Sequence, residues 1–305
     1  MTYQPAITAQ GTSDHLYLEF DLANTTNHDQ VRKLLARVAN PPTTMGVNIV
    51  IGVRPSLWQE LAPAAHVPHN VHDFAEPMVA ADGYEMAATQ HDVWVWIAGP
   101  HRSHVFQAGK EIITLWSPAM TLASETDGWV YQNNRDLTGF EDGTENPGAL
   151  EAPGIVAIPD GEPGAGSSVL LYQLWQHLAT QWDDLSEKEQ EDIIGRTKDD
   201  SEELDDDVKP DSAHAARTVV EVEGEELSIF RHNTAYGGLQ HHGTVFVGFS
   251  FDQWRTEEML RRMLGLDGGP RDALTYFSEA VTGAWYVCPS VEALLEFLPD
   301  EEEDD

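Results

Sequence analysis

The sequence predicts an α+β fold made of two related halves. Three observations carry this. In residues 1–150, short alternating or β-branched stretches are separated by stretches of helical period. The same grammar recurs from Ser168 onward. Between them, Gly139 to Gly166 holds the densest glycine and proline signals of the chain, which is where a joint between units belongs. The expected units are therefore 1–150 and 151–305. A length of 305 residues allows two domains or one large one, so the patterning decides.

In the first half, His15 to Leu22 (HLYLEFDL) alternates apolar and polar side chains as a half-buried strand does. Val31 to Val38 has helical spacing. Val47 to Val53 (VNIVIGV) is short and β-branched, which predicts a buried strand. Ser56 to Leu61 is read as a helix, Val93 to Ala98 (VWVWIA) as a strand and Ser103 to Thr114 as a helix. In the second half, Ser168 to Leu178 is strand-like. Ser186 with Glu189 three residues on forms a capping box for a helix ending at Ile194. Val219 to Val222 and Leu227 to Arg231 flank Glu223-Gly224-Glu225, which predicts a hairpin. Thr244 to Phe251 reads as a strand, Trp254 to Leu264 as an amphipathic helix and Val291 to Leu298 as a last helix. No short-period repeat is present.

Composition narrows the function classes. Hydrophobic residues make up 41% and glycine adds 24 residues, so a globular core is expected. No apolar run approaches the roughly 18 residues of a membrane span. Met1 to Gly11 lacks a basic region followed by an apolar one, so no signal peptide is expected. The single cysteine, Cys288, fits a reducing compartment, and a cytoplasmic location is the expectation. The 17 basic and 52 acidic residues leave a net charge of −35. Such a field repels phosphates and anionic lipid surfaces, so neither nucleic acid nor membrane is an expected partner. Two origins of the acidity stay open: adaptation to salt, or an acidic enzyme with an acidic tail. Melting temperature against KCl separates them, because only the first requires salt to raise it. The acidic runs Asp199 to Asp207 and Glu301 to Asp305 are expected to be solvated, mobile chain. The first lacks the central glycine of a calcium-binding loop.

Thirteen histidines invite a metal reading. His66, His69 and His72 recur every three residues, as do His101 and His104. Pro68 interrupts the first set, and no acid or cysteine completes a zinc pattern. These, with His241 and His242, are expected to be surface or hydrogen-bonding residues rather than ligands.

The segment Gly139-Phe140-Glu141-Asp142-Gly143-Thr144-Glu145-Asn146-Pro147 carries more. Two glycines and a proline around an acid describe a tight loop that presents Asp142 inward. Glycine, with no Cβ, lets backbone approach a ligand closely. An Asx-type turn would account for Asp142 and Gly143 but not for the whole nonamer.

GFEDGTENP resembles the signature loop of the dye-decolourising peroxidases. Lys209-Pro210-Asp211-Ser212-Ala213-His214-Ala215-Ala216-Arg217 resembles the family segment that bears the proximal haem histidine. Ile229-Phe230-Arg231-His232-Asn233-Thr234-Ala235-Tyr236-Gly237 resembles the one that bears the distal arginine, and Leu185 to Lys198 resembles the helix preceding the histidine. The resemblance is to the bacterial B-type branch and spans about residues 10 to 295. Ala235 departs from it, since many relatives carry proline there.

The resemblance implies two ferredoxin-like α+β domains, with a haem b pocket in the C-terminal one. It implies reduction of hydrogen peroxide and oxidation of small-molecule donors (dyes, phenols or porphyrinogens) through a ferryl intermediate. The alternative from another class is a haem-handling protein, for storage or iron release, with incidental peroxidase activity. By resemblance His214 is the axial iron ligand. Asp272 is the candidate acid on its other ring nitrogen, where a carboxylate raises ligand basicity. Asp142 is the candidate proton shuttle and Arg231 the fixed cation beside the leaving oxygen. Asn233, two residues on, falls on the same side of a strand as Arg231. Arg196 and the Gly143-Thr144 amides are candidate partners of the haem propionates. A homo-oligomer, dimer or larger, is expected. The chain ends Leu298-Pro299-Asp300-Glu301-Glu302-Glu303-Asp304-Asp305 without a small apolar tag, so packaging in an encapsulin shell is not expected.

Overall fold

The computed structural model describes residues 1–39 and 46–298. The acidic tail Glu301 to Asp305, and the end segment on which the packaging expectation rests, lie outside them from residue 299 onward.

The first half runs β1 (Asp14–Leu22), α1 (His28–Val38), β2 (Asn48–Val53), α2 (Pro55–Leu61), β3 (Val93–Gly99), α3 (Arg102–Trp116) and β4 (Met120–Trp129). Its strands lie side by side in the order β4-β1-β3-β2, all antiparallel. The second half contains α4 (Ala152–Val156), β5 (Ser168–His177), α5 (Ala179–Asp183), α6 (Glu187–Ile194) and α7 (His214–Thr218). It continues through β6 (Phe230–Arg231), β7 (Thr234–Gly237), β8 (His242–Ser250), α8 (Gln253–Met263), β9 (Ser278–Ala280), β10 (Ala284–Cys288) and α9 (Val291–Leu295). Here β6 and β7 are successive parts of one line on one edge of β8, and β9 and β10 share one edge of β5. If each pair counts as one strand, both halves have the order fourth, first, third, second. That is the ferredoxin-like arrangement, made twice.

The two sheets join end to end. Val53 of β2 pairs with Val287 of β10, and Ala235 and Tyr236 of β7 pair with Trp129 and Gly128 of β4. With β8 also paired to β5, the strands close into a ring. Strand alternation then sorts side chains into an inside and an outside. Tyr17, Trp94, Trp96, Leu170, Tyr172, Val247 and Tyr286 fill the interior. Leu16, Leu18, Phe20, Val95 and Ile97 face outward, in the core that also takes Val31 and Leu35 of α1. Cys288 is buried inside the ring with its thiol unpaired.

Most expected elements are present, with ends shifted by a residue or two. Ser186 accepts from the Glu189 backbone while Glu189 Oε2 accepts from Ser186 N at 2.8 Å, so the capping box is formed. The last helix is shorter than expected and stops at Leu295. Two expectations are corrected. The hairpin turning at Glu223-Gly224 forms but is short: Glu221–Val222 pairs with Glu225–Glu226, Leu227 N donates to Val220 O at 2.8 Å, and Phe230 and Arg231 pair with β8 instead. The run Asp199 to Asp207 is not free chain: Glu203 and Asp206 hold Lys209 Nζ at 2.5 and 3.1 Å, and Ser201 Oγ accepts from Glu141 N at 3.1 Å.

Candidate functional site

The outer face of the second sheet, α7, α8 and the Gly139–Pro147 loop enclose one cavity. Asp142, Gly143, Thr144, Arg196, His214, Arg231 and Asn233 all line it. Among the residues named from sequence, Asp272 alone stands behind the wall.

His214 opens α7, a single turn whose Thr218 hydroxyl donates to His214 O at 2.9 Å. Its Nδ1 lies 2.7 Å from Asp272 Oδ2, and Asp272 is fully buried. The other oxygen, Oδ1, accepts from Leu274 N at 2.9 Å, so Asp272 also caps the turn Ala273–Tyr276. Asp272 N bonds Met263 O and Ala273 N bonds Ser212 O, both at 2.8 Å, which ties the acid to α8 and to the histidine's own segment. With Nδ1 engaged, Nε2 is the nitrogen left for the cavity.

Across the cavity, the Gly139–Pro147 loop is held from within. Asn134 Nδ2 donates to Asp142 O at 2.7 Å and Asp142 N donates to Asn134 O at 2.9 Å. Gly139 and Gly143 have φ of +98° and +78°, a region that favours glycine. Asn146 uses both ends of its amide on the backbone of Arg231: Nδ2 donates to Arg231 O and Oδ1 accepts from Arg231 N, each at 2.8 Å. Arg231 and Asn233 both turn into the cavity, as their two-residue spacing predicts, while Phe230 lies in the ring interior. Asn233 Oδ1 also accepts from Val247 N at 3.3 Å. Burial raises the pKa of Asp142; the Arg231 guanidinium opposes this, Asp136 reinforces it, and the Gly143 N–H and Asn233 side chain oppose it.

Arg196 is engaged at the mouth of the cavity. Its Nη2 lies 2.8 Å from Glu145 and 3.1 Å from Glu203, and Nη1 donates to Ser201 O at 2.9 Å. The guanidinium therefore joins the signature loop to the acidic run. The histidine triplet shares no centre: His66 Nε2 meets Glu296 at 2.9 Å, whereas His72 Nε2 faces Glu257 at 3.7 Å.

Sequence reasoning missed several residues of the site. Asn146, which braces the backbone of Arg231, stood out only as part of the motif. Asp136, Gln173, His177 and Thr244 line the cavity itself. They lie on a loop, β5 and β8, far apart in sequence, so no spacing rule could have gathered them.

Comparison with known proteins decides the family. Residues 4–130 match the model described as Dyp-type peroxidase, N-terminal, and residues 133–293 match its C-terminal counterpart. The chain belongs to the dye-decolourising peroxidase family. A dye-decolorizing peroxidase of Mycolicibacterium paratuberculosis is 38% identical over 253 residues, covering 81% of this chain and 71% of the relative. One from Mycobacterium tuberculosis is 35% identical over 277 residues, covering 88% and 82%. Among solved structures, an arginine variant of Rhodococcus jostii RHA1 DypB, in complex with heme, superposes with TM-score 0.89 at 30% identity, covering 95% of this chain and 97% of that one. The encapsulated DyP-type peroxidase of Mycobacterium smegmatis superposes with TM-score 0.90 at 31% identity, covering 98% and 99%. An encapsulated member with this fold gives the expectation against shell packaging no support, and that expectation is set aside. No helix among the described residues is long and apolar enough to cross a membrane.

The cavity's chemistry suits a haem of this family. It offers one imidazole backed by a carboxylate, a cation and an acid opposite, and apolar walls that include Phe246, Met259, Leu260, Met263 and Leu274.

Proposed function

We propose that this protein is a haem b-dependent peroxidase that reduces hydrogen peroxide and oxidises small one-electron donors. The observation that carries the reading is the disposition of two groups about one cavity: His214 with Asp272 on one side, Asp142, Arg231 and Asn233 on the other. Haem handling alone needs the first group. The second adds a proton carrier beside a fixed cation, which favours catalysis over carriage.

His214 would hold the iron through Nε2, with Asp272 fixing the ring and raising its basicity. Bound haem supplies the redox equivalents for cleaving the O–O bond. Asp142 takes a proton from one peroxide oxygen and returns it to the other, which leaves as water. Its raised pKa keeps the carboxyl ready to give a proton as well as take one. The Arg231 guanidinium stabilises the negative charge that develops on the departing oxygen. Asn233 orients peroxide or a distal water. Arg196 and the Gly143-Thr144 amides would meet the propionates, with Arg196 exchanging one of its two carboxylate partners.

A second cavity of about 450 Å³, lined by Thr12, His15, Asn133 and Asn146, reaches Asp142, Gly143 and Arg231 from the other side. It offers peroxide a route that large donors need not share. The proposal also includes a cytoplasmic setting, a division into two units near residue 150 and a homo-oligomer.

The test is a visible spectrum of the purified protein before and after one equivalent of hydrogen peroxide. A Soret band that shifts on peroxide and returns on adding a donor is the expected result. A band that stays still would leave the haem-handling alternative.

A further inference from the structure

Asp136 lines the same cavity as Asp142, six residues before it, and is held from three directions. Its Oδ1 accepts from Thr138 N at 2.6 Å. Its Oδ2 accepts from the Thr244 hydroxyl and lies 3.7 Å from His177 Nε2. Because the Thr244 hydrogen is used on Asp136, the 3.1 Å contact between His177 Nε2 and Thr244 Oγ1 needs the proton on Nε2. His242 packs edge-on behind His177, with ring centroids 6.2 Å apart. Between Asp136 and Asp142 lies a small void of about 10 Å³, also lined by Tyr131, Asn233 and Thr244. That is about the room one water needs, and the polar walls supply its partners.

We propose that Asp136 is a positioning residue for Asp142: it faces Asp142 across a single-water void and, as an anchored anion, controls how tightly Asp142 keeps its proton. The inference deepens the peroxidase reading above, in which Asp142 carries the proton.

The two acids occupy opposite environments. Burial pushes Asp136 up, but His177 and the Thr138 and Thr244 donors outweigh it and hold the carboxyl below its usual range. Asp142 is raised, first by burial, with Arg231 opposing and Asp136 adding to the rise. Such a separation of two nearby acids is how one becomes the resident anion and the other the proton carrier. His177 itself is lowered by burial, with Asp136 opposing and His242 adding to the fall. The other charge at the void, Arg135, is directed away: it donates to the Gly139, Lys198 and Asp199 carbonyls. Asp136 is thus an anion at the void that no arginine or lysine pairs among the described residues.

The experiment reads the proton itself. Infrared difference titration of the full chain follows the carboxylic C=O band that Asp142→Asn removes. In Asp136→Asn, where a like charge has been taken away at nearly constant shape, the midpoint of that band should fall by on the order of one pH unit. An unchanged or raised midpoint overturns the proposal. If Asp136→Asn does not fold, carbon-13 carboxyl NMR of the wild type decides. Asp142 should then show a second inflection where Asp136 titrates, and a single simple titration overturns the proposal. In haem-loaded protein, the acid limb of the rate of peroxide reduction should shift by the same amount. The band can be followed with or without haem. A failed titration therefore leaves the peroxidase reading intact, and a missing Soret band leaves the coupling of the two acids intact.

Discussion

The side-chain amide of Asn146 grips the backbone of Arg231 at both its N–H and its carbonyl, each at 2.8 Å. The loop that presents Asp142 is thereby fastened to the strand that presents Arg231, and the spacing of acid and cation is set by a residue that need touch neither peroxide nor iron.

Asn146→Ala removes both bonds. At roughly 1 kcal/mol each, the loss to stability is about 2 kcal/mol. The larger effect is on geometry, since a displacement near 1 Å can cost about a hundredfold in rate. The expected outcome is a normal Soret band with kcat/KM for peroxide lowered roughly ten- to hundredfold. Unchanged peroxide kinetics would mean the clasp does not set the distal spacing.

His214→Ala should abolish the Soret band, whereas Asp272→Asn should retain haem but bind it about 10- to 100-fold more weakly, the usual effect of removing a carboxylate behind a ligand histidine. Haem transfer to an acceptor protein measures this. Equal retention in Asp272→Asn and wild type would show that Asp272 serves only as the cap of Ala273–Tyr276.

Arg231→Ala should slow the reaction with peroxide more than Asp142→Ala does. The cavity's other cation, Arg196, is engaged by Glu145 and Glu203, while water can move a proton in place of Asp142. Stopped-flow traces at the Soret maximum give both rates; equal or reversed losses would refute the order.

His15 and His232 are both held near pKa 4, from 6.5, mainly by burial. A lowered histidine binds its proton in the unfolded chain before it does in the folded one. Stability should therefore fall as pH drops from about 6.5 toward 4 and be unaffected by these groups above that window. His15 Nδ1 accepts from Trp96 Nε1 at 3.0 Å, a bond that protonation there would break. Melting temperature against pH should flatten in His15→Gln; the same slope as wild type would count against this assignment.

Cationic donors should be turned over faster than anionic ones of similar potential at low ionic strength. The net charge is −35, and Glu145, Glu203 and Glu226 line the cavity. Added salt should narrow the gap. Equal turnover at low salt would contradict the role given to surface charge.

Much of the fold was legible because burial on one face leaves a period in the sequence. HLYLEFDL and VWVWIA declared β1 and β3. Met120–Trp129 was silent, because Thr121, Ala123, Glu125 and Asp127 are exposed while the alternate positions include the polar Ser124 and Thr126 and the small Gly128, so no apolar period shows. Gly128 is dictated by packing: a Cβ there would lie 2.4 Å from Thr234 Oγ1. The histidine helix, His214–Thr218, is too short for any period to appear, so only the resemblance of its segment found it. Arg231 likewise came only from the resemblance of its segment, and Asn233 followed from it by two-residue alternation. The support of Asp142 by Asp136, His177 and Thr244 was not legible, since it joins positions that meet only once β5 and β8 pair.

The ring of strands has one more consequence. Val53 of β2 with Val287 of β10, and Gly128 and Trp129 of β4 with Tyr236 and Ala235 of β7, pair across the two halves of the chain. Severed from its mate, either half would present open rows of donors and acceptors, the kind of border on which foreign strands add. A truncated or half-synthesised product is accordingly a seed for aggregation, and solubility is a property that each half confers on the other.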